Sequence, residues 1–155
     1  MSNPESQNKP EIGDRVTEAY YGGMGEAFKR KTHARIQWIC EQTKGSNILD
    51  VGCSQGIVPI LLARERKVVV GIDIDPIAIE YARKQLEIES KFVQENVSFI
   101  NEDFISCKLQ HKKFDTILLT EVLEHLSKPK AFIDKSKTLL KPNGSLVITV
   151  PFGIN

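Results

Sequence analysis

Four short segments hold the residue types able to recognise a charged, hydroxyl-bearing ligand: Gly52-Cys53-Ser54-Gln55-Gly56, Asp73-Ile74-Asp75, Glu102-Asp103-Phe104, and Glu121 to His125. The glycines at 52 and 56 allow a sharp turn and let a ligand lie against bare backbone. Asp73 follows Gly52 by 21 residues, a spacing that places a carboxylate where it can accept hydrogen bonds from ribose hydroxyls. A nucleoside-containing ligand is expected. A dinucleotide loop starting at Gly52 would want glycine at position 54 and glycine or alanine at 57, where the chain has Ser54 and Ile57, and no GK[ST] phosphate loop occurs. Asp50 points the same way, because a carboxylate there would repel a pyrophosphate and suit a cation. The plainer alternative for Asp50 is a carboxylate that caps the turn.

The elements that must position these segments alternate between apolar runs and helical patterns, the signature of a parallel sheet with crossover helices. Strands are expected at Ile48 to Val51, Lys67 to Ile72, Val97 to Ile100, Phe114 to Thr120 and Ser145 to Val150. The candidate segments are then the loops leaving the first four, and ligands of open α/β sheets bind beyond the carboxyl ends of the strands. A helix is expected from Glu26 to Thr43 with Phe28, Ile36, Ile39 and Cys40 inward. Asp75-Pro76 reads as an N-cap followed by proline at the first helical position, with Ile79, Ala82 and Leu86 making the inward stripe. After Pro129, Phe132, Ile133, Leu139 and Leu140 face inward, and Lys128, Lys130, Lys135 and Lys137 form a solvated face. Pro142-Asn143-Gly144 supplies a tight turn into the fifth strand.

The 155 residues suit one domain, taken as 19–155, preceded by a loose polar tail over 1–18. With 41% hydrophobic and 26% charged residues, the composition is that of a globular protein. The longest apolar run, Ile57 to Ala63, is far below the roughly 20 residues of a membrane span. The N-terminus lacks a secretory pattern, so a cytoplasmic location is expected. Cys40, Cys53 and Cys107 form no CxxC pair and are read as reduced thiols. A net charge of +1 gives no argument for nucleic acid as partner.

Ile48-Leu49-Asp50-Val51-Gly52-Cys53-Ser54-Gln55-Gly56 resembles the glycine-rich first motif of class I S-adenosylmethionine-dependent methyltransferases. Val70-Gly71-Ile72-Asp73 is similar to their acidic second motif, Asn101-Glu102-Asp103-Phe104 to the adenine-contacting segment, Phe114-Asp115 through Leu126 to the fourth-strand motif, and Leu140-Lys141-Pro142-Asn143-Gly144 to the approach to strand five. Ser54 departs from the family, which most often has glycine there. The resemblance implies a doubly wound, mostly parallel, Rossmann-like α/β sheet, here apparently truncated after strand five, which leaves an edge open to homodimerisation. It also implies S-adenosyl-L-methionine as cofactor. Gly52 and Cys53 would contact its methionyl part with Asp50 shaping that end, and Gly56 would complete the loop. Asp73 would hold the ribose, Ile74 would pack on the adenine, and Asp103 with Phe104 would meet its amino group. His33 or Arg35 would reach the cofactor carboxylate.

For the reaction, O-methylation of a small molecule or glycan-related metabolite is expected. His125 is the candidate base, because imidazole is the side-chain type that exchanges protons most readily near neutrality, and Glu121 and Glu124 are second choices. Helical spacing of Glu121, Glu124 and His125 would also make a partial metal site, and the stretch is similar to that of small-RNA 3′-end 2′-O-methyltransferases. It is similar as well to ubiquinone-biosynthesis-type O-methyltransferases, and no metal is assigned. His33 and His111 are read as surface residues. The remaining alternatives are a nicotinamide-dependent oxidoreductase and a non-catalytic S-adenosylmethionine-binding module.

Overall fold

Ile48, Leu49, Ile117, Leu118 and Leu119 are fully shielded from water, and side chains that alternate across a strand can all be buried only if both faces are covered. In the computed structural model, which describes residues 15–109 and 112–151, these residues lie in the two central strands of a five-stranded sheet. The strands are β1 (Asn47–Val51), β2 (Val68–Asp73), β3 (Val97–Asn101), β4 (Phe114–Thr120) and β5 (Leu140–Thr149). Their order is β3-β2-β1-β4-β5, and every pairing is parallel. The chain winds outward from β1 to β3, then returns to lay β4 against the other side of β1. That reversal opens a crevice at the carboxyl ends of β1 and β4.

Helices α1 (Val16–Tyr20), α2 (Glu26–Gln42), α3 (Ile57–Arg64), α4 (Pro76–Glu87), α5 (Lys91–Asn96) and α6 (Pro129–Leu139) complete the unit. Ile36 and Ile39 of α2 and Ile57, Val58 and Leu62 of α3 pack on Ile48, Val69 and Leu118. Farther along the same face, Ile79 and Ala82 of α4 meet Ile60, Ala63, Val97 and Phe99. The opposite face carries Leu49, Val51, Val70, Ile72, Ile117 and Leu119 under α6 and the segment around Phe104 and Leu109. Among the described residues, no helix is long and apolar enough to cross a membrane.

Phe99 packs tightly against two glycines. A Cβ added at Gly56 would lie 2.5 Å from Phe99 Cζ and 2.8 Å from Ala82 Cβ, and one added at Gly71 would lie 2.9 Å from both Phe99 Cδ1 and Cys53 Sγ. The ring occupies the volume that side chains at those two positions would need.

Several expectations are corrected. The segment expected to be a loose tail overlaps α1, which starts at Val16; Thr17 and Ala19 are buried, with Val16 and Tyr20 packed beside Ile36 and Ile39. Residues 1–14, 110–111 and 152–155 lie outside the described set, and His111 with them. Phe28 is 58% exposed, so the inward stripe of α2 is Thr32, Ile36 and Ile39. The turn before the fifth strand is enclosed within it: pairing jumps from Phe114↔Leu140 to Thr116↔Ser145, and Asn143 takes a left-handed φ of 63°. Asp115 consolidates this bulge by accepting from Ser46 N at 3.0 Å, Asn47 N at 2.8 Å and Lys141 Nζ at 3.0 Å. Lys135 is not part of a solvated face, because its ammonium donates to the carbonyls of Phe104, Ile105 and Cys107.

Candidate functional site

The loop leaving β1 is shaped by its neighbours. Gly52 has φ of 75°, and a Cβ there would come 2.9 Å from Val122 Cγ2; glycine is what allows the β4 exit to approach. Gly52 N and Cys53 N both donate to Ile72 O, at 2.8 and 3.1 Å, fastening this loop to the end of β2. Ser54 N donates to Asp73 Oδ2 at 2.8 Å, and Asp75 N to Asp73 Oδ1 at 2.9 Å. Each Asp73 oxygen thus has one backbone partner and keeps acceptor capacity. Asp75 itself caps α4, accepting from Ile77 N at 2.9 Å.

These segments enclose a cavity of about 640 Å³ lined by Asp50, Gly52, Cys53, Asp73, Ile74, Asp103, Phe104, Glu121 and His125. These nine sequence-assigned positions therefore meet at one place, with Arg35 and Glu124 beside them. Gly56 does not line it: with φ of 79° it begins α3 and fits beneath Phe99, so its glycine serves packing. Val16, Val122 and Phe132 also line the cavity. Nothing in the local pattern marked Val16, and only tertiary packing brings it there.

Asp50 is 2% exposed, and its Oδ1 has no hydrogen-bond partner. Burial, then repulsion from Asp73, pushes its carboxyl up to about 7. A cation placed against it would satisfy the orphan oxygen and oppose the repulsion. Cys53 is raised well above the ordinary thiol range by burial and by Asp50, which keeps it a neutral thiol with backbone to offer. Ile74 is 71% exposed at the cavity rim, an apolar surface for a flat ring. Asp103 Oδ2 accepts from Ser106 N at 3.1 Å, and its carbonyl from Cys107 N at 2.9 Å, closing the turn that carries Phe104.

At the β4 exit the helical reading of Glu121 to His125 is overturned. Glu121 has a left-handed φ of 55°, and only Leu123–His125 form a single 3-10 turn. Glu121 is drawn to β5: its N–H donates to Thr149 O at 3.1 Å, and its Oε1 accepts from Thr149 Oγ1 at 2.9 Å. Its Oε2 lies 3.5 Å from Arg35 Nη1, which places that cation at the cavity wall. Glu121, Glu124 and His125 thus do not share a helix face. Among the described residues, no three His, Cys, Asp or Glu residues are grouped to hold a metal ion. His125 is largely exposed, with Nε2 3.9 Å from Glu124 Oε1. His33 is tethered rather than free on the surface, stacked on Tyr20 at 4.0 Å between centroids with Nε2 2.6 Å from Tyr20 O.

A family model described as a methyltransferase domain matches residues 42–152. The ubiquinone biosynthesis O-methyltransferase of Histophilus somni (strain 2336) is 36% identical over 117 residues, covering 72% of this chain and 49% of that protein. The N-methyltransferase NodS of Bradyrhizobium japonicum WM9, solved with S-adenosyl-L-homocysteine, superposes with TM-score 0.69 at 25% identity over 89% of this chain and 68% of that one. The [4+2]-cyclase SpnF superposes with TM-score 0.72 at 24% identity, covering 79% and 46%, and shows the fold alone. The chain spans about half the length of the curated relatives it matches.

Proposed function

Because the chain belongs to the methyltransferase-domain family, we propose that it binds S-adenosylmethionine in the cavity beyond β1, β2 and β3 and serves methyl transfer to an oxygen of a small molecule. The observation that carries this reading is Asp50: a buried carboxylate with an unpartnered oxygen, beside the ribose-suited Asp73, in a cavity with room for a nucleoside. The fit is chemical at each end. Asp50 meets the ammonium, with Arg35 near enough to meet the carboxylate of the same methionyl group. Asp73 accepts from ribose hydroxyls, Ile74 covers the adenine, and Asp103 accepts from its amino group beside Phe104.

When bound, S-adenosylmethionine supplies the methyl group and leaves as a thioether. The chain's own contribution is to hold donor and acceptor in line, worth several kcal/mol or more where alignment is good. Glu121, held by Thr149, fixes Arg35 and the cavity wall at the methyl-bearing end. His125, at the rim beside Glu124, accepts the proton lost by the acceptor hydroxyl as the oxygen–carbon bond forms. The relatives named as O-methyltransferases support oxygen as acceptor atom. Within the described sheet β5 pairs with β4 alone, and Ile148 and Val150 are exposed; pairing of two copies along that edge is the self-association to look for by sedimentation.

Calorimetric titration with S-adenosylmethionine, S-adenosylhomocysteine and NAD tests the cofactor, on wild type and Asp73→Ala. Binding of the first two that is lost in the variant is the expected result. No binding, or binding indifferent to Asp73, overturns the reading. The fold also occurs in a protein named as a cyclase, and fold does not determine reaction; labelled-methyl transfer into small-molecule extract separates an enzyme from a binding module.

A further inference from the structure

Lys135 was expected to be solvated, yet its three ammonium donors are all used within the fold. Nζ lies 2.5 Å from Phe104 O, 2.9 Å from Ile105 O and 2.6 Å from Cys107 O. It also sits 5.0 Å from the centroid of the Phe104 ring, which in turn packs on Phe132 one helical turn back at 5.2 Å. Three carbonyl dipoles converging on one point repel each other unless a cation stands there. The turn they belong to is the one whose Asp103 and Phe104 line the cavity.

We propose that Lys135 is a positioning residue for purine recognition: by gathering the 104–107 carbonyls it holds Asp103 at the angle that distinguishes an adenine amino group from a hypoxanthine carbonyl. The inference rests on the methyl-donor reading above. Asp103 accepts from an amino group and repels a carbonyl oxygen, so a rigid Asp103 discriminates and a loose one rotates away from the mismatch. α6, which carries Lys135, begins at Pro129, with three residues between it and the Glu121–His125 segment.

The test compares affinities for S-adenosylhomocysteine and S-inosylhomocysteine by calorimetry, in wild type, Lys135→Met and Lys135→Arg. Wild type is expected to prefer the adenine ligand by at least tenfold, Lys135→Met to lose most of that preference, and Lys135→Arg to keep most of it. If Lys135→Met does not fold, Lys135→Gln is read by the same ratio. A neutral variant that is less heat-stable but discriminates as wild type does leaves Lys135 a merely structural residue and overturns the proposal. So does a wild type that binds both ligands equally. A wild type that binds neither overturns the methyl-donor reading and this inference together.

Discussion

Gln55 Oε1 accepts the backbone N–H of Thr17 at 2.9 Å, joining α1 to the loop that leaves β1. Both residues are buried, and Gln55 Nε2 and Thr17 Oγ1 have no hydrogen-bond partner. The bond holds Val16 against the cavity. Gln55→Ala leaves the Thr17 N–H unpaired, at a cost of about 1–3 kcal/mol. Amide exchange over residues 16–21 should then quicken by tenfold or more while β1 and β4 stay protected. Equal exchange in the two proteins would refute the tie.

Ser54 occupies a left-handed φ of 48°, and its Oγ is buried without a partner. Glycine relieves both conditions, so Ser54→Gly should raise stability by about 1 kcal/mol, a rise of a few degrees in Tm. Gly52→Ala is the contrasting change. Its Cβ would press on Val122, and a fall in Tm with weaker ligand binding is expected. The idea fails if Ser54→Gly melts earlier than wild type.

Asp50 governs a pH effect. Its carboxyl is raised from 3.8 to about 7 by burial and then Asp73, so the folded chain holds the proton more tightly than the unfolded one. The stabilisation is fully present below 3.8 and is lost as pH rises toward 7, with a slope of up to about 1.4 kcal/mol per pH unit. Urea unfolding between pH 4.5 and 7.5, about the range of that loss, should show a shallower decline in Asp50→Asn. Affinity for a cationic ligand should rise over the same interval in wild type. Identical slopes in the two proteins would exclude Asp50 as the source.

Asp115 has the opposite sign. Hydrogen bonding from Asn47 N–H, then Lys141, holds its carboxyl below the ordinary range, so its contribution is present above the usual 3.8 and is lost as pH falls further. Asp115→Ala frees two backbone donors and a lysine and should cost about 2 kcal/mol by denaturant titration. A loss below about 0.5 kcal/mol would show that water replaces the carboxylate there.

The parallel sheet was legible because strands buried on both faces are written as unbroken apolar runs, as in Ile117-Leu118-Leu119. The cavity was legible because the exits of such strands converge wherever the winding reverses. What escaped has physical causes. α5 spans Lys91–Asn96 with a single buried residue, Val93, so no periodicity announces it. The left-handed Glu121 depends on its bonds to Thr149, 28 residues onward, and no local pattern encodes them. Lys135 looked like its neighbours Lys130 and Lys137, and only the carbonyls around Phe104 set it apart.

Phe99 has a consequence for how this sequence can drift. Its ring fills part of the space that a side chain at Gly56 or Gly71 would take, with Ala82 Cβ closing in at Gly56 and Cys53 Sγ at Gly71, so alanine at either glycine requires two neighbours to give way. Replacing Phe99 by a smaller residue first would leave a void that such an alanine partly refills. Even without the phenyl, a side chain at Gly56 would meet Ala82 and a left-handed φ of 79°, so the second glycine of the β1 exit loop is held in place by its own backbone and by an aromatic ring on a strand two places away.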